Sequence, residues 1–511
     1  MSTTTRRTRG SARAVRRKER INAPIVMLPT LVRNIPVYEV LNEEGVELIH
    51  ETSMNILEEV GIEFRDAEAI DHWKQVGAEV AGQRVRIQRE LLLSLVSKTP
   101  ESYTLHGRNP GRTVKIGGEH TVFAPTYGSP FVLDLDNKRR YSTLDDLQMF
   151  IKLAQMSPSM HLSGGVICEP VDVPVPKRHL HLIYSLLRYS DKPFMGATTA
   201  RERAADSVAM AKLAMGDEFV ESHTVMTSVI NCNSPLVWDA TMLDALKIYA
   251  IHNQAVLVSP FVLAGASTPA SSVGAVAQLN AEALAGIAFA QQVRPGCPMV
   301  YGQFLATVSM LSGAPMAGTP EICLMNYMVG QMARRYKLPW RSSGMNTGSK
   351  LADAQAAYES NMTMHSALLA GANFVLHAAG WLEAGLTASF AKFVLDAEQM
   401  EMYYRYAQGP QLTDLDEALD AVREVGPGGH FLGTAHTRKH FQAAFYIPKL
   451  LDNNSFEQWE LEGALRAEER AVQRVTDMLE RYQEPALDAA VDEELRAYIE
   501  QREAMLPDTV T

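Results

Sequence analysis

The residue types best suited to chemistry sit in a few short stretches of this chain. Leu376-His377-Ala378-Ala379-Gly380-Trp381-Leu382-Glu383 brings an imidazole, an indole and a carboxylate close together. Trp340-Arg341 adds an indole and a guanidinium, with Asn346 shortly after. Tyr127, Tyr301 and Gln303 stand at the ends of apolar runs. Aromatic rings with amides suit a small cation. A quaternary ammonium donates no hydrogen bonds, so ring faces and a nearby carboxylate must hold it. Tyr127, Tyr301, Trp340 and Trp381 could supply the rings, and Arg341 could pair with a substrate carboxylate in bidentate fashion. Each has a plainer reading: the rings as core fillers, Arg341 in an internal ion pair, His377 as a hydrogen-bonded core histidine. His377 has no partner histidine at metal-ligand spacing. His436 and His440 would share a helix face near His430, but a metal reading of the group needs a third ligand and an open site. Gly426-Pro427-Gly428-Gly429 more simply makes a turn.

The absences discriminate too. The chain has no GxGxxG dinucleotide turn, no GxxxxGK[ST] phosphate loop, no HExxH and no GxSxG elbow. No lysine stands where a Schiff-base aldolase would need it; Lys192 precedes a strand instead of ending one.

Elements must carry these residues to one place. Apolar, β-branched runs occur at 121–127, 161–167, 193–198, 224–231, 255–263, 298–304, 339–346 and 373–379, each followed by a segment of helical period. A turn-like stretch, 128–140, interrupts the first unit. Near-continuous apolar strands separated by helices indicate a parallel sheet covered on both faces. The count and length predict an α/β fold, a closed (β/α)₈ TIM barrel; the alternative is a doubly wound open sheet. Four helix starts are expected: at Ser234-Pro235, Thr268-Pro269 and Thr319-Pro320, and at Thr199 with Glu202 as a capping box. Barrel chemistry sits at the C-terminal ends of the strands. Those ends carry every candidate above, together with Glu169, Thr198, Asn231, Phe261 and Phe304. The expected organisation is a disordered basic arm over 1–22, an α+β extension over 23–120 that begins with a helix near 41–58, the barrel over 121–393 and a helical extension over 394–511. In the last part, 394–408, 414–424 and 456–505 read as helices.

The 511 residues are 46% hydrophobic and carry a net charge of −11. That is enough apolar side chain for a large core, and no attraction for nucleic acid. No uninterrupted apolar run reaches the ~18 residues of a membrane span. Cys168, Cys232, Cys297 and Cys323 are too far apart for a compact zinc set or a disulfide framework, which suits a reducing, cytoplasmic setting. The arginine-rich head lacks the apolar stretch of a signal peptide. It reads as an arm that docks on a neighbouring subunit or another acidic surface; a transit peptide is the alternative.

Tyr127-Gly128-Ser129-Pro130, Gly344 through Lys350 with Asp353-Ala354-Gln355-Ala356-Ala357-Tyr358-Glu359, His377 through Glu383, and Gly429-His430-Phe431-Leu432-Gly433-Thr434 with His436-Thr437 together resemble the trimethylamine methyltransferase superfamily. The resemblance runs from about residue 35 to 450 and takes in the arginine-rich head. It implies a barrel methyltransferase that moves a methyl group from an amine to a corrinoid protein. Founding members carry pyrrolysine. This chain contains only the twenty standard residues, so it resembles the larger branch without it, whose characterised members use quaternary amines such as glycine betaine, proline betaine or carnitine. On that reading the rings hold the trimethylammonium head, Arg341, Asn346, Gln303 and His377 fix the carboxylate tail, and Glu383 balances the cation. His377 and Glu383 are then the candidate catalytic residues. Helix N-termini at the same face would favour the anionic tail. The resemblance further implies a corrinoid (cobalamin) carried by a partner protein, no metal bound by this chain, no nucleic-acid or membrane partner, and a homo-oligomer. Three alternatives stay open: methyl transfer directly to tetrahydrofolate, a non-catalytic quaternary-amine-binding protein, and a barrel enzyme of unrelated chemistry.

Overall fold

The computed structural model describes residues 26–507, so the basic head expected over 1–22 lies outside the described residues. Seven parallel strands form the centre: β1 (His120–Phe123), β2 (Phe194–Met195), β3 (Met226–Ile230), β4 (Ala255–Val258), β5 (Met299–Gly302), β6 (Trp340–Ser343) and β7 (Phe374–Leu376). They pair in the order β2-β3-β4-β5-β6-β7-β1. All four residues of β4 are buried, as are all of β5, β6 and β7, because helices cover one face and the molecule's centre fills the other. Each expected unit supplies its helix: α1 (Leu144–Met156), α2 (Arg178–Tyr189), α3 (Arg201–Met215), α4 (Ala240–Ile251), α5 (Ser272–Val293), α6 (Pro320–Arg335), α7 (Ala354–Leu369) and α8 (Phe390–Ala407).

The expected strand at 161–167 is not a regular strand. Gly164 takes φ +107°, which breaks the pleat, and a Cβ on Gly165 would come within 2.8 Å of Met195. The segment still touches both end strands. The His161 and Leu162 amides donate to the Phe123 carbonyl after β1; Ser163 donates to Pro193 O, and Met195 of β2 donates to Gly164 O. The fold is thus mixed α/β, with seven parallel strands where eight were expected, inside a ten-stranded sheet that Leu31–Val32, Ser102–Leu105 and Val114–Gly117 extend in antiparallel fashion.

Helix starts follow local capping more than the expected dipeptides. Thr319-Pro320 does open α6, with proline in its first turn. Ser234-Pro235 instead lies in a loop, and α4 is capped by Asp239. Ser271 caps α5, three residues beyond Thr268. Ala200 precedes α3 and no capping box forms there, because Thr199 Oγ1 accepts from Arg203 Nη1 at 2.5 Å.

α5 is long and apolar enough to cross a membrane, yet it lies inside the protein. It packs against α4, α6 and the N-terminal helices Glu43–Asn55 and Arg89–Val96. Polar side chains along its middle are satisfied internally: Asn280 donates to Ser53 Oγ and Tyr336 Oη, and Gln278 donates to Glu282. Gly286 gives Trp238 its space; a Cβ there would strike the indole.

Two excursions beyond the C-terminal strand ends build walls. Phe261–Ala264 and Phe304–Val308, continuing from β4 and β5, pair in parallel. Trp381–Leu382, Thr387–Ser389, Phe131–Leu133 and Arg139–Tyr141 form a small sheet, so the turn-like stretch 128–140 is almost all of a hairpin, completed by Tyr141. The stretch 456–505 resolves into helices Phe456–Leu461, Ala467–Glu480 and Ala489–Glu503. The latter two pack on α8 and α1, and on α3 and α2.

Candidate active site

The C-terminal ends of the parallel strands converge on one cavity of about 420 Å³. Tyr127, Thr198, Asn231, Phe261, Phe304, Arg341, Leu376 and His377 line it, one or two from nearly every strand end, and Trp381 and residues 384–386 close one side. The alternation of β6 decides what enters. Trp340 points out to the helix layer, where its indole packs 3.2 Å from the Cβ position of Gly330 on α6. Arg341, the next residue, therefore points in.

Arg341 is the decisive group. It is 1% exposed, and no carboxylate among the described residues pairs with it. One guanidinium nitrogen donates to the Gln303 carbonyl, and Nε has no partner. Burial pulls its pKa from the ordinary arginine range down to about 9. A guanidinium buried this way, with spare donors, can accept an anionic ligand.

Three rings stand beside it. The Phe304 centroid lies 5.8 Å from the Arg341 Cζ, His377 lies 4.3 Å from Trp381, and Phe304 lies 5.5 and 5.7 Å from those two. His377 takes φ +58°, a strained backbone for a residue with a side chain. Its amide donates to Pro125 O, and its Nδ1 has no partner among the described residues. Burial, then Arg341, holds its pKa well below 6.5, so the imidazole is neutral. The Trp381 Nε1–H is also unpaired. Gly385, at φ +99°, makes room for that indole, since a Cβ there would come within 2.6 Å of it. Tyr127 is fully enclosed, and burial pushes its phenol up to about 12.

The structure brings together Tyr127, Arg341, His377 and Trp381 on the cavity wall. It places the other expected residues elsewhere. Tyr301 points outward and donates to Asn280 Oδ1 on α5. Trp340 is a core residue of the helix layer. Gln303 bonds Asn326 and Ser342 and reaches the site only through its carbonyl on Arg341. Asn346 is buried behind the wall, where its amide N–H meets Thr363 Oγ1. Glu383 lies off the cavity wall, held by Arg139 at 2.8 Å and Thr387 Oγ1 at 2.6 Å, so its charge is already balanced. The acid that does line the cavity is Glu169, 3.6 Å from Arg178, with its pKa raised by burial. Arg178 and Arg203, in the first turns of α2 and α3, also line it. No sequence signal separates them from other helical arginines. The His436 and His440 rings lie tilted against each other, 4.6 Å between centroids, in the C-terminal part, where their nitrogens face Asp414 and Glu417.

Chemically, the cavity offers one uncompensated buried cation, a cluster of ring faces and a neutral imidazole. That set suits a small zwitterion, with its anionic end on the guanidinium and its cationic end on the rings.

Comparison with known proteins gives the same direction. The family model described as "Trimethylamine methyltransferase (MTTB)" matches residues 6–507. A glycine betaine methyltransferase from Desulfitobacterium hafniense (strain Y51) is 44% identical over 469 residues, covering 92% of this chain and 98% of that protein. A proline betaine:corrinoid methyltransferase from Eubacterium limosum is 30% identical, covering 91% and 97%. Among solved structures, the Methanosarcina barkeri monomethylamine methyltransferase matches with a TM-score of 0.52 at 9% identity, covering 94% and 92%, a likeness of fold alone.

Proposed function

The chain belongs to the trimethylamine methyltransferase family and is a methyltransferase, and on that premise we propose that it takes a methyl group from a carboxylated quaternary amine, glycine betaine first, and passes it to a corrinoid carried by a partner protein. The observation that carries this reading is Arg341: a buried guanidinium without a carboxylate partner, beside the rings of Phe304, His377 and Trp381. Choline and trimethylamine have nothing to give that guanidinium; a betaine does. The names of the relatives agree, since one acts on glycine betaine and another joins proline betaine to a corrinoid.

A quaternary nitrogen is already cationic. When the carbon–nitrogen bond breaks, the nitrogen keeps the electron pair and leaves as a neutral tertiary amine, so no proton has to be supplied in that step. The protein's own tasks are to bind, orient and desolvate. Arg341 fixes the carboxylate. The neutral imidazole of His377 has a free nitrogen for the same tail. Trp381 and Phe304 hold the methylated head, with Tyr127 on the same wall. Glu169, not Glu383, is the acid on the cavity wall, and Arg178 stands 3.6 Å from it. A cavity of about 420 Å³ has room for a small amine but not for a corrin macrocycle, so methyl transfer to a corrinoid would have to take place at the cavity mouth. The corrinoid supplies the methyl-accepting nucleophile.

The architecture behind this reading is an eight-unit closed barrel. It is supported by the eight helices and by the hydrogen bonds of 161–164 to the neighbourhoods of both β1 and β2. The core we infer starts near 121 and extends through α8 to Ala407, since that helix runs unbroken past residue 393. The α+β extension precedes it and the remaining helices follow. Four buried, unpaired cysteines support a reducing, cytoplasmic setting. The homo-oligomer stays part of the proposal and is tested by light scattering.

Thermal denaturation against glycine betaine, proline betaine, carnitine, γ-butyrobetaine, choline and trimethylamine tests the substrate. A ligand at ~100 times its dissociation constant adds about 2.7 kcal/mol of stability. Glycine betaine is expected to give the shift, and Co(I) cobalamin with glycine betaine is expected to yield methylcobalamin. Stabilisation by choline or trimethylamine but by no carboxylated amine would overturn the reading.

A further inference from the structure

We propose that the buried Lys392–Asp396 pair on α8, outside the cavity wall, positions the loop that carries both His377 and Trp381. Its functional weight rests on the reading above, that this cavity holds a quaternary amine.

The geometry is specific. Lys392 Nζ donates to both carboxylate oxygens of Asp396, at 2.8 and 2.7 Å, and both side chains are buried. Asp396 Oδ2 also accepts the backbone N–H of Gly380 at 2.9 Å. The Gly380 carbonyl accepts from Ser389 N, the N-cap residue of α8, at 3.0 Å. The first turns of α8 thus hold Gly380 at both ends of its residue. Gly380 takes φ +91°, and a Cβ there would sit 3.3 Å from the Phe393 ring, so the loop rests directly on the helix. On its other side the loop is tied to the chain after β1: His377 N and Ala378 N donate to Pro125 O and Ala124 O, and Thr126 N donates to Ala379 O.

A buried ion pair is a poor stability device, because desolvation offsets most of its attraction. This one provides a fixed acceptor, deep in the protein, for the amide between the imidazole and the indole. Without that acceptor the amide is buried unpaired, and the turn from His377 to Trp381 is free to shift. A displacement of about 1 Å in a substrate-holding group costs on the order of a hundredfold in rate. Asp396 and Lys392 touch no part of the cavity wall, so they act through Gly380 as positioning residues.

The test compares two double variants with the wild-type protein. Lys392→Met/Asp396→Asn removes both charges but keeps a carbonyl oxygen facing Gly380. Lys392→Met/Asp396→Leu removes the acceptor as well. A neighbouring cavity of about 560 Å³ borders both positions and gives the new side chains room. Glycine betaine affinity is read by calorimetry, and amide exchange of the 377–382 segment is read without ligand. The Leu variant is expected to lose about tenfold or more in affinity and to exchange the Gly380 amide faster. The Asn variant is expected to stay within about threefold of wild type, since its acceptor remains. A folded Leu variant with wild-type affinity and a protected Gly380 amide would overturn the proposal, as would an Asn variant that loses as much as the Leu variant. If the Leu variant does not fold, Lys392→Met/Asp396→Ala removes the acceptor with a smaller side chain and carries the same expectations. Should the wild-type protein bind no quaternary amine, the substrate reading falls, and exchange decides alone: unchanged protection of Gly380 without its acceptor refutes the positioning role, and its loss upholds it.

Discussion

Replacing Arg341 by methionine should move stability and binding in opposite directions. The guanidinium is buried without a counter-charge among the described residues, and burial lowers its pKa from the ordinary arginine range to about 9. That fall means that the ligand-free fold disfavours the charged side chain. The sign follows from proton uptake. Above about pH 9 the unfolded chain holds more protons here, so this cost is full below that pH and is relieved as the pH rises above it. Methionine fills a similar volume without charge, and replacing buried ions with apolar side chains often stabilises by about 1–4 kcal/mol. The ligand-free Arg341→Met protein should therefore melt at or above the wild-type temperature. Binding of glycine betaine should collapse, because its carboxylate is then buried alone. Truncating one member of a buried charge pair costs about 2–5 kcal/mol, which is about 30-fold to several-thousand-fold at 1.4 kcal/mol per decade. Choline, which has no carboxylate, should be affected little. Calorimetry with both ligands and thermal denaturation of the ligand-free variant read all three quantities. An Arg341→Met protein that binds glycine betaine within about threefold of wild type would refute the reasoning, since a bidentate partner cannot be lost so cheaply.

Other substitutions separate the two ends of the ligand. Trp381→Ala should weaken glycine betaine and choline alike, by about 1–2 kcal/mol, because it removes a ring face and leaves Arg341 in place; weakening of glycine betaine alone in calorimetry would contradict that assignment. Gly385→Ala places a Cβ 2.6 Å from the Trp381 indole at φ +99° and should reproduce much of the Trp381→Ala binding loss in the same titrations. His377 is neutral far below pH 6.5, so betaine affinity should show no step near that pH. Its contribution to stability is full above 6.5 and is lost as pH falls below it, where the unfolded chain takes up the proton first; thermal melts of His377→Gln across pH 5–7 should show a shallower slope. Gly286→Ala, far from the site, drives a methyl into Trp238 and should cost about 1–3 kcal/mol in denaturant unfolding with no direct effect on affinity.

The alternation of apolar runs and helical segments was legible in the chain itself, because strands buried on both faces leave a local signature that no distant contact has to supply. Seven strands and eight helices follow it. The failure at 161–167 is also local in origin: Gly164 and Gly165 read as part of an apolar run, but they serve a close approach to Pro125 and Met195. His377 and Trp381 were legible because a short motif falls at a strand end, where such folds gather their chemistry.

Direction and company were decided only by the tertiary structure. Trp340 and Arg341 are neighbours in sequence, and the register of β6 sends one to the helix layer and the other to the cavity. Tyr301 ends the same kind of run as Tyr127, yet it bonds Asn280 on the far face of β5. Glu383 stands in the most suggestive motif of the chain, and a hairpin from residues 131–141 brings Arg139 to neutralise it. Glu169, Arg178 and Arg203 reach the cavity from two strand–helix connections and the helices that follow them. The sequence by itself determined which elements form and which residue types stand at their ends, since these depend on period and composition over short spans. Which side chains face one another depends on strand register and on contacts between residues hundreds of positions apart, and a linear pattern carries no record of either.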